Sequence, residues 1–191
     1  MIFPDYIGRT SFDMTSERVL VSSESRNKKV LTRALTGQRF DVRMRCFVKP
    51  WDTLKAAGWL ELMQQDGVDV TYTDETWIKQ QGSIASKTVG GGGSSIGSNQ
   101  VTLNSSAGVF VGALLNFSGQ DKLYKVLNIS GNVITVNTGL QSALASGTAV
   151  IFNEPKITLE LAPELKRSIG LSQGLDRQLA TFNLRLHEVL V

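Results

Sequence analysis

Two alternating segments lie near opposite ends of the chain, and a glycine-rich, all-β stretch separates them. In Gln38–Val48 the residues Phe40, Val42, Met44, Cys46 and Val48 alternate with Arg39, Asp41, Arg43, Arg45 and Phe47. In Leu179–Val189 the residues Phe182, Leu184 and Leu186 alternate with Thr181, Asn183, Arg185 and His187. Side chains of a strand point to opposite faces with a period of two, so each segment has one apolar and one mostly polar face. Neither end of the chain holds enough strands to satisfy such a segment alone. The economical solution puts both in one sheet system and makes the middle of the chain an insertion.

The expected fold is therefore mainly β: a β-sandwich with one flanking helix and an inserted small β-barrel, OB-like or sandwich-like. Residues 1–89 and 154–191 would form the discontinuous sandwich, and residues 90–153 the insertion. Arg18–Ser22 and Lys29–Ala34 read as short strands around the polar turn Ser23–Lys28, with Thr36-Gly37 leading into the long strand. Pro50-Trp51-Asp52 opens a helix over about 51–65, with Gly67 as its stop. Trp51, Leu54, Ala57, Gly58 and Leu62 make its apolar stripe, with Leu60 and Met63 widening it, so the helix should pack on the sheet through Trp51, Leu54 and Leu62. Val68–Trp77 alternates and reads as a strand.

From Gln80 the composition changes. Gly90-Gly91-Gly92-Gly93-Ser94-Ser95-Ile96-Gly97-Ser98 reads as a flexible junction or loop tip, because glycine runs carry high backbone entropy. Beyond it, Gln100–Asn104, Leu114–Ser118, Lys122–Ile129, Asn132–Asn137 and Thr148–Asn153 are short strands with turn residues about every dozen positions. That spacing marks a small barrel or sandwich. Lys156–Leu161 then resumes clean alternation.

The residues for chemistry are thin. The chain of 191 residues has one histidine, His187, and one cysteine, Cys46, so no Cys/His metal constellation can be built. His187 reads as a structural or surface residue. There is no Gly-x-Ser-x-Gly elbow, and Asp74-Glu75, as neighbours on a strand, would point to opposite faces. Ser86-Lys87-Thr88 shares only Lys-Thr with a phosphate loop, and glycines follow where a helix should begin. The reading is of a non-enzyme without cofactors or metals. A net charge of +3 without a clustered basic face argues against specific nucleic-acid binding. No apolar run approaches the ~18 residues of a membrane span, and the N-terminus lacks the features of a signal peptide. Synthesis in the cytoplasm is the expectation.

Four residues are candidates for a subunit interface. Arg39, Arg43 and Arg45 share one face of a strand, where guanidinium forks could meet a neighbour's carboxylates. Trp59 falls off the helix stripe and is expected to be half exposed, as interface tryptophans are.

Three segments together resemble the distal tail proteins of long-tailed bacteriophages and related contractile or gene-transfer particles. Thr36-Gly37-Gln38-Arg39-Phe40-Asp41-Val42-Arg43-Met44, followed by the helix, resembles the family's Gly-x-x-Trp-x-x-x-Leu strand, with Phe40 at the aromatic position. Gly112–Phe117, Leu123-Tyr124-Lys125-Val126, Gly139-Leu140 and Ser146–Val150 resemble its inserted barrel. Phe182–Leu190 resembles its C-terminal strand. The resemblance implies a virion structural protein of the tail, without catalytic role, that forms a homo-oligomeric ring, commonly a hexamer. Its partners would be its own copies, the tail tube protein, and baseplate hub or tip proteins, with the genome passing through the ring. Other expectations are a head-decoration, completion or tail-terminator protein, or a barrel that binds carbohydrate or single-stranded nucleic acid. For the latter, residues 100–153 offer only Phe110, Phe117, Tyr124 and Phe152 with Lys122 and Lys125.

Overall fold

The computed structural model describes residues 1–24, 30–65, 69–82, 84–167, 172–173 and 179–189. The fold is mainly β and antiparallel, of the sandwich class, with an inserted sheet that curls into a small barrel. Met1–Ser16, Arg39–Tyr72 and Thr158–Val189 make one compact unit; Glu17–Gln38 and Thr73–Ile157 belong to the other.

In the first sheet the strands β1 (Ile7–Glu24), β2 (Val30–Val48), β12 (Ala180–Glu188), β10 (Ile157–Leu161) and β3 (Val70–Tyr72) lie side by side in that order. A two-residue strand, β11 (Ser172–Gln173), also pairs β12. The two end segments are thus neighbours: Leu184 lies opposite Met44 and Leu186 opposite Val42. Phe40, Val42, Met44, Cys46, Val48, Leu159, Leu161, Phe182, Leu184 and Leu186 are all buried on the apolar side. β1 is far longer than the expected Arg18–Ser22 strand. Its first half, with Arg9, Ser11, Asp13 and Thr15 at alternate positions, lacks the apolar face that periodicity detects. The expected turn at Ser23–Lys28 and the helix stop at Gly67 lie largely outside the described residues.

A single 3-10 turn, Pro50–Asp52, leads into α1 (Thr53–Met63). The helix is where the spacing put it, and Leu60 and Met63 of the expected stripe are buried, but Trp51, Leu54 and Leu62 are not. Ala56, Trp59, Leu60 and Met63 are buried, whereas Trp51 is 74% exposed, Leu54 88% and Leu62 41%. Positions 56, 59, 60 and 63 form a three-and-four-residue stripe as regular as 51, 54, 58 and 62, and packing decides between them. Trp59 is held from the N-terminal segment: Phe3 meets its ring edge-on at 5.4 Å and that of Tyr72 at 5.3 Å. Phe3 is fixed in turn because the backbone of residues 1–3 adds to β3, with Thr71 N–H donating to Met1 O (2.6 Å) and Phe3 N–H to Thr71 O (3.1 Å). Each edge-on ring pair contributes about 0.5–1.5 kcal/mol beyond burial.

The expected strand Val68–Trp77 ends early. After Tyr72 the chain turns into α2 (Glu75–Gln81), because Asp74 caps it, its side chain accepting from Thr76 N–H at 2.6 Å. Asp74-Glu75 is therefore a helix start and not a strand edge. A third helix, α3 (Pro163–Arg167), opens on a proline after β10.

The inserted sheet has the order β4 (Lys87–Thr88), β9 (Ala149–Ile151), β6 (Leu114–Phe117), β7 (Tyr124–Ser130), β8 (Val133–Val136) and β5 (Gln100–Thr102). It curls until its ends meet, Val89 bridging Leu103. Leu115, Phe117, Tyr124, Val126, Ile134, Val136 and Phe152 fill the interior. The glycine run is a built part of this barrel rather than a flexible tip. Gly93 (φ +93°) would place a Cβ within 2.2 Å of Leu144 O, and Ser94 N–H bonds that oxygen at 2.9 Å. Only glycine fits so close a backbone approach. Two buried amides tie the ends of the insertion. Gln81 donates to Phe152 O at 2.7 Å and accepts from Leu114 N–H, while Asn116 donates to Lys122 O and Lys156 O, both at 2.8 Å.

Candidate functional site

The polar face of β2 and β12 carries the chemistry of the first sheet. Register places Asp41 opposite His187, Arg43 opposite Arg185 and Arg45 opposite Asn183. On the other side of β12, Glu160 of β10 lies opposite His187. Two arginines directly across a strand pair repel each other. Asp41 offsets this from a fully buried position. Arg185 Nε lies 3.2 and 3.3 Å from its two carboxylate oxygens, Arg185 Nη2 at 3.2 Å, and Arg43 Nε at 3.5 Å. His187 Nδ1 is 3.3 Å from Asp41 Oδ1.

Arg185 is a bridge. Its Nη1 also meets Glu164 of α3 at 2.8 Å, so the helix is held over the sheet end by charge. The hydrogen bond to Asp41 is the largest cause that pushes the Arg185 guanidinium above its ordinary pKa, with Glu164 adding to it. The Glu164 carboxyl is held below its usual range, first by a hydrogen bond from its own backbone and then by Arg185. Lys166 and Glu160, 3.6 Å apart, add a second tie from α3.

Between these elements lies an open groove of about 490 Å³. Ser11 and Asp13 of β1, Arg43 and Arg45 of β2, Glu164 and Leu165 of α3, and Asn183 and Arg185 of β12 line it. Arg45 is exposed, and among the described residues its guanidinium has no carboxylate within ion-pair distance. It is the cation of this face left to meet something else.

Of the four candidate residues, Arg43 and Arg45 share this groove. Arg39, half-buried, precedes Asp41 on the same strand but does not line the groove. Trp59 is 7% exposed and sits on the inner side of α1, which corrects the expectation that it is half exposed. His187, read as a structural or surface residue, is 6% exposed and lies against Asp41. Asp41 and Arg185 were legible as members of polar faces. Their joining required the register of two strands far apart in the chain. Cys46, on the opposite apolar side, has its thiol pushed up to about 12 by burial, so it is an inert packing residue.

No protein-family model matches the chain, and no curated protein matches it. The functional reading therefore rests on the residues and their geometry. Among the described residues, no helix is long and apolar enough to cross a membrane.

Proposed function

We propose that this chain is a non-enzymatic virion structural protein, a distal tail protein whose copies close into a ring. That ring, of six copies, joins a tail tube to the baseplate or tail tip. One observation carries the reading. The first sheet is completed by β12 beside β2, and a curled all-β module is inserted between β3 and β10, the layout that the three resembling segments imply. Arg43 and Arg45 are the candidate contacts with a neighbouring copy. The groove between β1, β2, β12 and α3 is open, and Arg45 offers an uncommitted fork for a neighbour's carboxylate. A ring needs heterologous contacts of this kind, one patch meeting a different patch. The inserted barrel is read as a docking platform for other tail proteins, and passage of the genome needs no base-specific contact.

The test is the mass of the purified protein by light scattering after size exclusion, with negative-stain imaging of any large species. A ring with a central hole wide enough for duplex DNA supports the reading. A protein that stays monomeric alone and beside tail-tube protein overturns it. The double charge reversal Arg43→Glu/Arg45→Glu should shrink the assembly; unchanged mass would remove the arginine groove from the interface.

A further inference from the structure

Residues 1–3 lie as a short strap along the outer edge of β3. Thr71 donates to Met1 O at 2.6 Å and accepts from Phe3 N–H at 3.1 Å, and the Met1 ammonium donates to Asp69 O at 2.6 Å. Alternation along the strap sends Ile2 outward, where it is 81% exposed, and leaves Met1 and Phe3 as its side-chain anchors. Phe3 holds through its ring contacts with Trp59 and Tyr72. Met1 holds through sulfur: its Sδ accepts the indole Nε1–H of Trp59 at 3.1 Å. Trp59 is buried, and among the described residues that N–H has no other acceptor. Of the four methionines, Met1 is the most open to solvent, 40% exposed; Met14 is half-buried, and Met44 and Met63 are buried.

A thioether sulfur carries two lone pairs. The indole N–H engages one, and the other stays nucleophilic on a side chain that water reaches. We infer that Met1 is an oxidation site, at which a hydroperoxide converts the thioether to a sulfoxide and so unlatches the strap from Trp59. The sulfur attacks the terminal oxygen of the peroxide: an S–O bond forms, the O–O bond breaks, and the sulfur gives up two electrons. The departing oxygen takes the proton and leaves as an alcohol or, from hydrogen peroxide, as water. Oxidation turns a soft apolar side chain into a polar one. The new oxygen stands off the sulfur and needs water, which the aromatic cluster of Phe3, Trp59 and Tyr72 does not offer, so the strap is drawn outward. Trp59 Nε1–H then loses its acceptor, and Thr71 loses both backbone partners. β3 becomes an open sheet edge, to which another strand can add. Sulfoxide reductases return the thioether, the oxygen leaving as water while two thiols join as a disulfide, so the latch can close again.

The test is mild hydrogen peroxide treatment of the folded full chain carrying Met14→Leu, a volume-conserving change that removes the half-buried competitor. Peptide mass mapping should find sulfoxide at Met1 many-fold sooner than at Met44 or Met63. Hydrogen exchange followed by NMR should then show the Phe3 and Thr71 amides exchanging at least several-fold faster, while amides of β2 and β12 around Val42 and Leu186 keep their rates. Treatment with sulfoxide reductases should restore the slow exchange. Trp59→Phe keeps a ring but has no N–H to donate. In that background the strap amides should exchange faster before any peroxide is added, and oxidation should add little. Sulfoxide at Met1 with unchanged exchange at Phe3 and Thr71 overturns the inference. So does oxidation of Met1 no sooner than of Met44 and Met63, exchange that rises equally in β2 and β12, or an undiminished response to peroxide in Trp59→Phe. None of these readouts depends on the oligomeric state, so the result stands apart from the ring.

Discussion

Asp41 and Arg185 stand 144 positions apart in the chain and form the charged centre of the first sheet. Asp41 is wholly buried on the polar side of β2, and three distances of 3.2–3.3 Å join it to the Arg185 guanidinium. Arg43 and His187 approach the same carboxylate. One buried carboxylate therefore takes contacts from two guanidinium groups and lies beside an imidazole.

Asp41→Asn should accordingly destabilise the protein out of proportion to its size. It removes the charge that offsets Arg43 opposite Arg185 and weakens hydrogen bonds to a charged group, a loss of about 2–3 kcal/mol. Urea unfolding measures it. A change below about 0.5 kcal/mol, the range of ordinary surface substitutions, would show that the cluster is not structural.

Helix α1 gives opposite results for two leucines six residues apart. Leu60→Ala removes a buried side chain, 3% exposed, and should cost about 2–5 kcal/mol. Leu54→Ala, 88% exposed, should change monomer stability by less than about 0.5 kcal/mol. Equal losses in thermal or urea unfolding would contradict the observed face.

Cys46 should resist thiol reagents in the native protein at pH 8 and react fully in denaturant. Its thiol is raised from 9.0 to about 12 on folding. Between those values the unfolded chain releases a proton that the folded chain retains, so stability falls as pH rises from about 9 towards 12. Comparison with Cys46→Ala over that range isolates the effect: the slope of unfolding free energy against pH should be steeper with cysteine present. Parallel slopes would refute it.

Neighbouring glycines of the run should differ. Gly93→Ala drives a methyl into Leu144 O at a φ of +93° and should cost more than the roughly 1–3 kcal/mol of backbone strain alone. Gly92→Ala, at φ +88° but with nothing within 4 Å, should cost only that strain. Unfolding midpoints of the two variants decide it.

These contrasts also show what could be read beforehand. Period-two alternation located β10, β12 and the second half of β2, which the structure joins to the expected Lys29–Ala34 segment in one strand. In the insertion the recurrent turn residues located β5 to β9 but not the two-residue β4, and β6 is buried at all four positions, so alternation does not mark it. Alternation also missed the first half of β1, whose polar positions outnumber its apolar ones. It gave helix α1 but not its orientation, since two stripes of equal regularity ran along it. Trp59 packs inward against Phe3, a residue more than fifty positions away. Glycine content indicated freedom, whereas the positive φ angles and close backbone contacts of Gly93 show a requirement. In the candidate interface Arg43 and Arg45 were legible from one strand. Asp41 became its anchor only through the pairing with β12.

The position of β12 has a consequence for the order in which the molecule can be made. It lies between β2 and β10, at the middle of the first sheet, yet in chain order it follows every other strand described and so is made after them. Until then β2 has β1 as a neighbour but lacks the partner that completes its apolar face. The barrel strands, by contrast, lie within Lys87–Ile151 and pair largely with near neighbours, so they can fold during synthesis. Once folded, the insertion holds Gln81 against Phe152. A folded insertion thereby shortens the length of chain that pairing of β12 with β2 must close.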